Sequence, residues 1–208
     1  MPLKIPKPIQ TARLTVRPVD KSDLVALMKV NGDDSVTKYL PYSTWRTIAD
    51  ARAWLKRMRR HEKNGATVQF AVIDKASGDA VGTGLVFAFE ESSRQAELGF
   101  ALARKYWGAG YMTEGMAALI DSAFRTMGVR RFIAHADADN AASCALLARL
   151  GFTHEGTLRD RWLDGTRPRT AQVYGLLKRE WPAKKPSGKK PRKRRSHGRS
   201  SPRSRRGA

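Results

Sequence analysis

The residues best suited to chemistry lie in one run, Ala103-Arg104-Lys105-Tyr106-Trp107-Gly108-Ala109-Gly110-Tyr111-Met112-Thr113-Glu114. Gly108 and Gly110 lack a Cβ, so the backbone there can bend and approach a ligand closely. The run leads into an amphipathic helix, because Met116, Leu119, Ile120, Ala123, Phe124 and Met127 recur at helical spacing and Gly128 ends the series. The unpaired N–H groups of a helix's first turn, with the positive end of its dipole, make a seat for phosphate oxygens. Arg104 and Lys105 place two cations beside that seat. The run therefore predicts a phosphorylated cofactor held mainly by backbone, with an ordinary glycine turn as the alternative. Two nucleotide motifs fail on spacing: there is no Gly-x-x-x-x-Gly-Lys-Ser/Thr, and the third glycine of a dinucleotide fingerprint is missing.

Elements on either side must position that loop. Arg13–Pro18 alternates as a first strand. Asp20-Lys21-Ser22-Asp23 starts a helix with Leu24, Leu27 and Met28 inward and Asn31-Gly32 at its end. Thr47, with Asp50 as its acidic capping partner, starts a second helix whose apolar face is Ile48, Ala51, Leu55 and Met58; Asn64-Gly65 stops it. Val68–Ile73, Val81–Phe89 and Ala96–Leu102 follow through short polar turns and predict an antiparallel meander. Beyond the loop and its helix, Arg130–Ala136 is a strand, parallel to its neighbour through a right-handed crossover. Asn140 opens another helix with Leu146, Leu147 and Leu150 inward and Gly151 as its stop. Phe152–Arg159 and Ala171–Leu177 are the last strands, and the domain ends at Trp181.

The length, 208 residues, fits one domain with an appendage. No apolar run approaches the ~20 residues that span a bilayer, and the N-terminus lacks the apolar stretch of a secretory signal. One cysteine, Cys144, excludes an internal disulfide and a cysteine zinc site and suits a reducing cytoplasm. The net charge of +21 is uneven: residues 182–208 hold 12 of the 40 Lys and Arg and none of the 19 Asp and Glu, leaving +9 on residues 1–181. The segment without large apolar side chains, 182–208, reads as a disordered basic tail. The division expected is an N-terminal extension over 1–10, a domain over 11–181 and that tail.

Taken in order, Arg13-Leu14 with Arg17-Pro18, Ala96-Glu97-Leu98-Gly99-Phe100, Lys105-x-x-Gly108-x-Gly110, Asn140-x-x-Ser143 and Gly151-Phe152-x-x-Glu155-Gly156 resemble the GCN5-related N-acetyltransferase superfamily, and within it the ribosomal-protein alanine N-acetyltransferases. The similarity covers roughly residues 10–181. It implies the acyl-CoA N-acyltransferase fold: a mixed α/β domain with a mostly antiparallel central sheet, splayed between two parallel strands and flanked by about four helices. Acetyl-CoA would lie in the opening between the Glu97 and Phe132 strands. The resemblance puts its pyrophosphate on the amides of Gly108, Ala109, Gly110, Tyr111 and Met112, with Lys105 where the family usually has Gln or Arg. It puts pantetheine along Phe100, Ala101 and Leu102, with Asn140 on the pantetheine arm and Ser143 near the thioester. Many members carry a tyrosine acid at the position of Leu147, which has no proton to give; in the ribosomal-protein group a serine at the position of Ser143 is the proposed substitute. The alternative is that Ser143 merely bonds the backbone of Asn140.

The reaction so implied needs a neutral amine. At neutral pH a lysine amine (reference pKa ~10.4) is neutral in about one molecule in a few thousand, an α-amine (~7.7–8.0) in roughly one in ten. A protein N-terminus is therefore the favoured acceptor, a ribosomal protein's included, helped by a carboxylate acting through water. Glu97 is the candidate, with a surface carboxylate at the meander's edge as the alternative. A backbone N–H of 100–102 would hold the oxyanion. His135 reads as a strand-end residue, His61 and His154 lack metal spacing, and no metal is expected. Cys144 is not a nucleophile, and Glu114 complements its helix dipole. Tyr39, Tyr42 and Trp45 belong to the core or line the substrate mouth. The tail would contact RNA or ribosomes without sequence preference or be a solvated charge run with no role of its own, and in a eukaryote its 191–195 segment would suggest nuclear import. A small-molecule amine, such as a polyamine, is the remaining acceptor class.

Overall fold

A computed structural model describes residues 2–184. It holds eight strands: β1 (Ile9–Gln10), β2 (Leu14–Pro18), β3 (Val68–Asp74), β4 (Ala80–Glu90), β5 (Gln95–Leu102), β6 (Arg131–Asp137), β7 (Thr153–Asp164) and β8 (Arg167–Leu177). Five α-helices accompany them: α1 (Leu24–Asn31), α2 (Asp34–Thr37), α3 (Ile48–Glu62), α4 (Tyr111–Ser122) and α5 (Ala141–Arg149). The strands form one sheet in the order β1-β2-β3-β4-β5-β6-β8-β7. Short turns make each hairpin antiparallel. The helical connection through α4 lets β5 and β6 run parallel.

Residue alternation divides the two faces. Leu14, Val16, Phe70, Val72, Leu98, Phe132 and Ala134 face α4 and α5, meeting Met116, Leu119, Ile120, Leu146, Leu147 and Leu150. Ala71, Ala101 and Ala103 turn the other way, beneath Leu24, Leu27 and Val30 of α1 and Trp54 and Leu55 of α3. Helix α4 can sit close on the sheet because Gly84 has no side chain; a Cβ there would come within 2.7 Å of Met116 Cε.

The parallel pairing is short. Gln95, Ala96 and Glu97 face Arg131, Phe132 and Ile133. Beyond them β5 stays on β4 to Leu102, while β6 stays on β8 from Arg131 to Asp137. The sheet therefore opens between 98–102 and 134–137, the expected splay.

Several expectations are corrected. Thr47 and Asp50 do form a capping box, but Ile48 is 37% exposed and Trp54 fills the position against the sheet, because Ile48 occupies the first helical turn at the rim. Helix α2 and strand β1, of four and two residues, are additional; segments so short show no periodicity. There are thus five α-helices where about four were expected. Strands β7 and β8 extend as a hairpin to Asp164 and Arg167, beyond the predicted ends at Arg159 and Ala171. The last turn of the α4 helix widens to a π segment over Ala123–Met127 before Gly128, at φ +90°. After β8, Trp181 packs on Phe124 and donates to Asp121 Oδ1 at 3.1 Å. Nearly all of the predicted basic tail, from residue 185 onward, lies outside the described residues.

Candidate active site

The loop leading into α4 is built as the glycines allow. Gly108 and Gly110 have φ of +71° and +78°, a region that L side chains rarely enter. The first intrahelical bond runs from Glu114 N to Gly110 O, 3.0 Å. The amides of Tyr111, Met112 and Thr113 thus precede the helical ladder, at the positive end of the dipole. Open space lies where a Gly108 Cβ would stand. This cradle fits a phosphate group. Lys105 is exposed beside it, its Nζ over the Tyr106 ring at 4.8 Å.

Two residues far away in sequence hold the loop. Arg13 donates from Nη1 to Ala109 O at 2.9 Å and from Nε to Glu114 Oε2 at 2.7 Å, with its guanidinium 4.1 Å from the Tyr111 ring centroid. Glu114 Oε1 accepts from Thr11 Oγ1 and from the Arg13 amide, at 2.6 and 2.8 Å. Burial raises the Glu114 carboxyl, but the hydrogen bonds from Thr11 and Arg13 outweigh it and hold it below the usual carboxylate range. Glu114 is therefore more than a dipole partner: it ties the β1–β2 turn to α4.

The opening provides backbone as well. Ala101 turns its carbonyl to β4, where a Cβ on Gly82 would meet it at 2.5 Å. By strand alternation Phe100 and Leu102 turn theirs to the opening. Trp107, missed in the sequence reading, donates from Nε1 to Leu102 O at 2.7 Å. That leaves the Phe100 peptide groups and the Leu102 N–H for an extended ligand. Across the opening, Asn140 caps α5: its Oδ1 accepts the Ser143 amide at 3.1 Å. Ser143 is half-buried, and its hydroxyl is the part that the cap does not use. Leu147 is 1% exposed and belongs to the core.

Glu97 is not at an edge of the sheet. It is the last β5 residue paired with β6, and its Oε2 lies 3.1 Å from His135 Nδ1. The Trp162 ring meets His135 edge-on, with centroids 6.4 Å apart. The same face carries Arg131, bound to Gln95 Oε1 and to Glu155, and Arg169, bound to Asp137 Oδ2 at 2.7 Å. Hydrogen bonds from Arg131 hold the Glu155 carboxyl low. Burial raises Asp137, but the hydrogen bonds from Arg169 and the Asp139 amide, with the nearby guanidinium charges, together hold it below the usual carboxylate range. Tyr39 reaches over from the α2–α3 connection, donating to Asp139 O at 3.2 Å and lying 5.4 Å from the Arg169 guanidinium. Trp45 packs at a tilt against Trp54 in the core instead, and Tyr42, bonded to Asn31 Oδ1, is pushed up to about 12 by burial. No three His, Cys, Asp or Glu residues among those described could hold a metal ion.

The loop into α4, Asn140, Ser143 and Glu97, the residues expected from the sequence, thus lie about the opening between β5 and β6. The partners of Arg13, Trp107 and His135 become visible only in the fold. Among the described residues no helix is long and apolar enough to cross a membrane.

Residues 13–153 match the acetyltransferase (GNAT) domain model. An uncharacterized N-acetyltransferase of Bacillus licheniformis, p20, is 30% identical over 173 residues, covering 83% of this chain and 97% of that protein. The [ribosomal protein uS5]-alanine N-acetyltransferase of Escherichia coli is 29% identical over 131 residues, 62% of this chain and 68% of that protein. The fold is also that of a GCN5-related N-acetyltransferase from Brucella melitensis, with a TM-score of 0.76, 24% identity and coverage of 88% and 84%.

Proposed function

The chain belongs to the GNAT family of acetyltransferases and is an N-acetyltransferase with acetyl-CoA as acetyl donor, and on that premise we propose that its acceptor is a protein N-terminal α-amine, as on a ribosomal protein. The supporting observation is its 29% identity to the E. coli uS5-alanine enzyme across 131 residues. The chemistry agrees, because an α-amine is neutral often enough at pH 7 to react with modest help.

In this reading the amides of Gly108, Ala109, Gly110, Tyr111 and Met112 hold the donor's diphosphate, with Lys105 beside it. Phe100, Ala101 and Leu102 line the pantetheine, and a preformed N–H of this stretch steadies the oxyanion. Asn140 bonds the pantetheine arm, and Ser143 Oγ supplies the proton to the departing sulfur. Glu97, at the apex of the opening, provides the carboxylate that assists deprotonation of the amine. Acetyl-CoA bound there supplies an activated acyl carbon.

A polyamine acceptor is less well matched. Residues 1–181 carry a net charge of +9, which disfavours the approach of a polycation. One observation favours an additional RNA contact: α3 exposes Arg52, Lys56 and Arg60 in an i, i+4, i+8 row with Arg57 beside it.

Mass spectrometry of the acetyl-CoA reaction with peptides bearing free N-termini and lysines tests the acceptor. We expect acetyl on the α-amine. Acetyl confined to lysine side chains, or polyamines outcompeting every peptide, would overturn the reading.

A further inference from the structure

The imidazole of His135 has no role in the reading above, yet it stands where the sheet parts. Glu97 pairs with Ile133, so its side chain shares a face with Ile133 and, two residues on, with His135. This face lies opposite the α4 and α5 core, which takes Phe132, Ala134 and Ala136. Both side chains are reachable, at 31% exposed for Glu97 and 19% for His135.

The charged groups that flank His135 on its own strand have partners. On the histidine's own strand Arg131 is taken by Glu155 of β7, and Asp137 by Arg169 of β8. Directly opposite on β8 is Val173, which is apolar, and β7 contributes the Trp162 ring. Tyr39 of the α2–α3 connection is turned to Asp139. Glu97 is left as the charged partner of the imidazole among the described residues.

That contact assigns the proton. An ionised carboxylate only accepts hydrogen bonds, so Nδ1, 3.1 Å from Glu97 Oε2, must carry the hydrogen. The neutral ring then has its lone pair on Nε2. A carboxylate holding one imidazole nitrogen and leaving the other basic is the arrangement of a general base and its orienting group.

Resting on the acetyltransferase reading, we propose that His135 is the general base and that Glu97 acts through it as a positioning residue. His135 Nε2 takes the proton shed by the amine nitrogen as its lone pair bonds to the acetyl carbon. The carbon–sulfur bond breaks with its electron pair on sulfur, which takes up a proton from Ser143 or solvent. Glu97 then faces an imidazolium and stabilises it. An imidazole is the better base near neutrality, since a free imidazole titrates at ~6.5 and a free carboxyl at ~4.3.

Two measurements on the full chain test this. Nitrogen-15 NMR of the histidine-labelled protein without acetyl-CoA reads the tautomer whatever the acceptor is. We expect neutral His135 as the Nδ1–H form in the wild type and loss of that preference in Glu97→Gln. Rates across pH 6–9 with an acceptor peptide, alongside acetyl-CoA calorimetry, read the chemistry. In His135→Gln we expect kcat/KM to fall about 100-fold with loss of the acid limb, and acetyl-CoA affinity to stay within about twofold. In Glu97→Gln we expect a smaller fall in kcat/KM than in His135→Gln, since the ring is present but no longer oriented. An Nε2–H tautomer, or His135→Gln with wild-type rate and limb, overturns the assignment. Failure of acetyl-CoA to bind the wild type would instead overturn the functional reading, leaving the tautomer result to stand or fall alone.

Discussion

Glu114 offers a quantitative test of how the cofactor loop is held. Its Oε1 accepts from Thr11 Oγ1 and the Arg13 amide, and its Oε2 accepts from Arg13 Nε. Glu114→Ala removes all three acceptors. A hydrogen bond to a charged group is worth ~1.5–3 kcal/mol when shielded, but the Arg13 and Glu114 side chains are 40% and 21% exposed, so water replaces much of it. Allowing ~1 kcal/mol per bond gives a loss of about 2–3 kcal/mol, or a fall in Tm of roughly 5–10 °C for a domain of this size. Glu114→Gln can keep both Oε1 contacts but sets an amide donor against the guanidinium, so a loss of about 1 kcal/mol is expected. Arg13 also fixes Ala109 O. With the clamp loosened, acetyl-CoA Kd should rise about 3- to 10-fold, up to ~1.4 kcal/mol.

The pH dependence has a definite sign. The folded carboxyl is depressed, so its contribution is present above the unfolded value near ~4.3 and is lost as pH falls through the lower folded value. The Tm gap between wild type and Glu114→Ala should be constant at neutral pH and narrow below about pH 4. Thermal melts from pH 3 to 7 and calorimetry at pH 7 check this. An unchanged Tm and Kd in Glu114→Ala, or a gap that ignores acid, would refute the clamp.

Further outcomes follow from other contacts. Arg169→Met leaves Asp137 buried without its cation, at 7% exposure, and should cost about 3 kcal/mol in chemical denaturation at neutral pH, shrinking in acid as Asp137, held low by the pair in the wild type, protonates. Gly110→Ala must adopt φ +78°, costing ~1–2 kcal/mol and weakening acetyl-CoA binding more than Gly78→Ala, a like change in a remote turn. Ser143→Ala should lower kcat with little change in acetyl-CoA Kd, because only the amide of Ser143 serves the helix cap; an unchanged kcat would move the proton donor to solvent.

What was legible in the sequence was local. The Thr47–Asp50 box, the stripe from Met116 to Met127, and the stops at Gly128 and Gly151 depend on spacings of three to twelve residues, and all appear in the fold. The glycine loop was legible because left-handed backbone favours glycine. What stayed hidden was set by tertiary pairing. Arg13 and Glu114 stand 101 positions apart, and Glu97 and His135 38; no period links them, and His135 alone looks like any strand residue. The β7–β8 hairpin was cut short because Arg159, Asp160 and Arg161 break the expected alternation, and there a register shift between Leu158 and Trp162 absorbs Asp160 at φ +52°. Trp54 was passed over because Ile48 filled the helical pattern equally well on paper.

The brevity of the β5–β6 ladder has a consequence for exchange with deuterated solvent. Three residue pairs join the two halves of the sheet, while the β5 amides turned to β4 are locked in a long ladder. Along 98–102 protection should therefore alternate, slow at Ala101 and fast at Phe100 and Leu102. An extended ligand filling the gap would erase that alternation, turning two quick backbone protons into slow ones without any strand having to move.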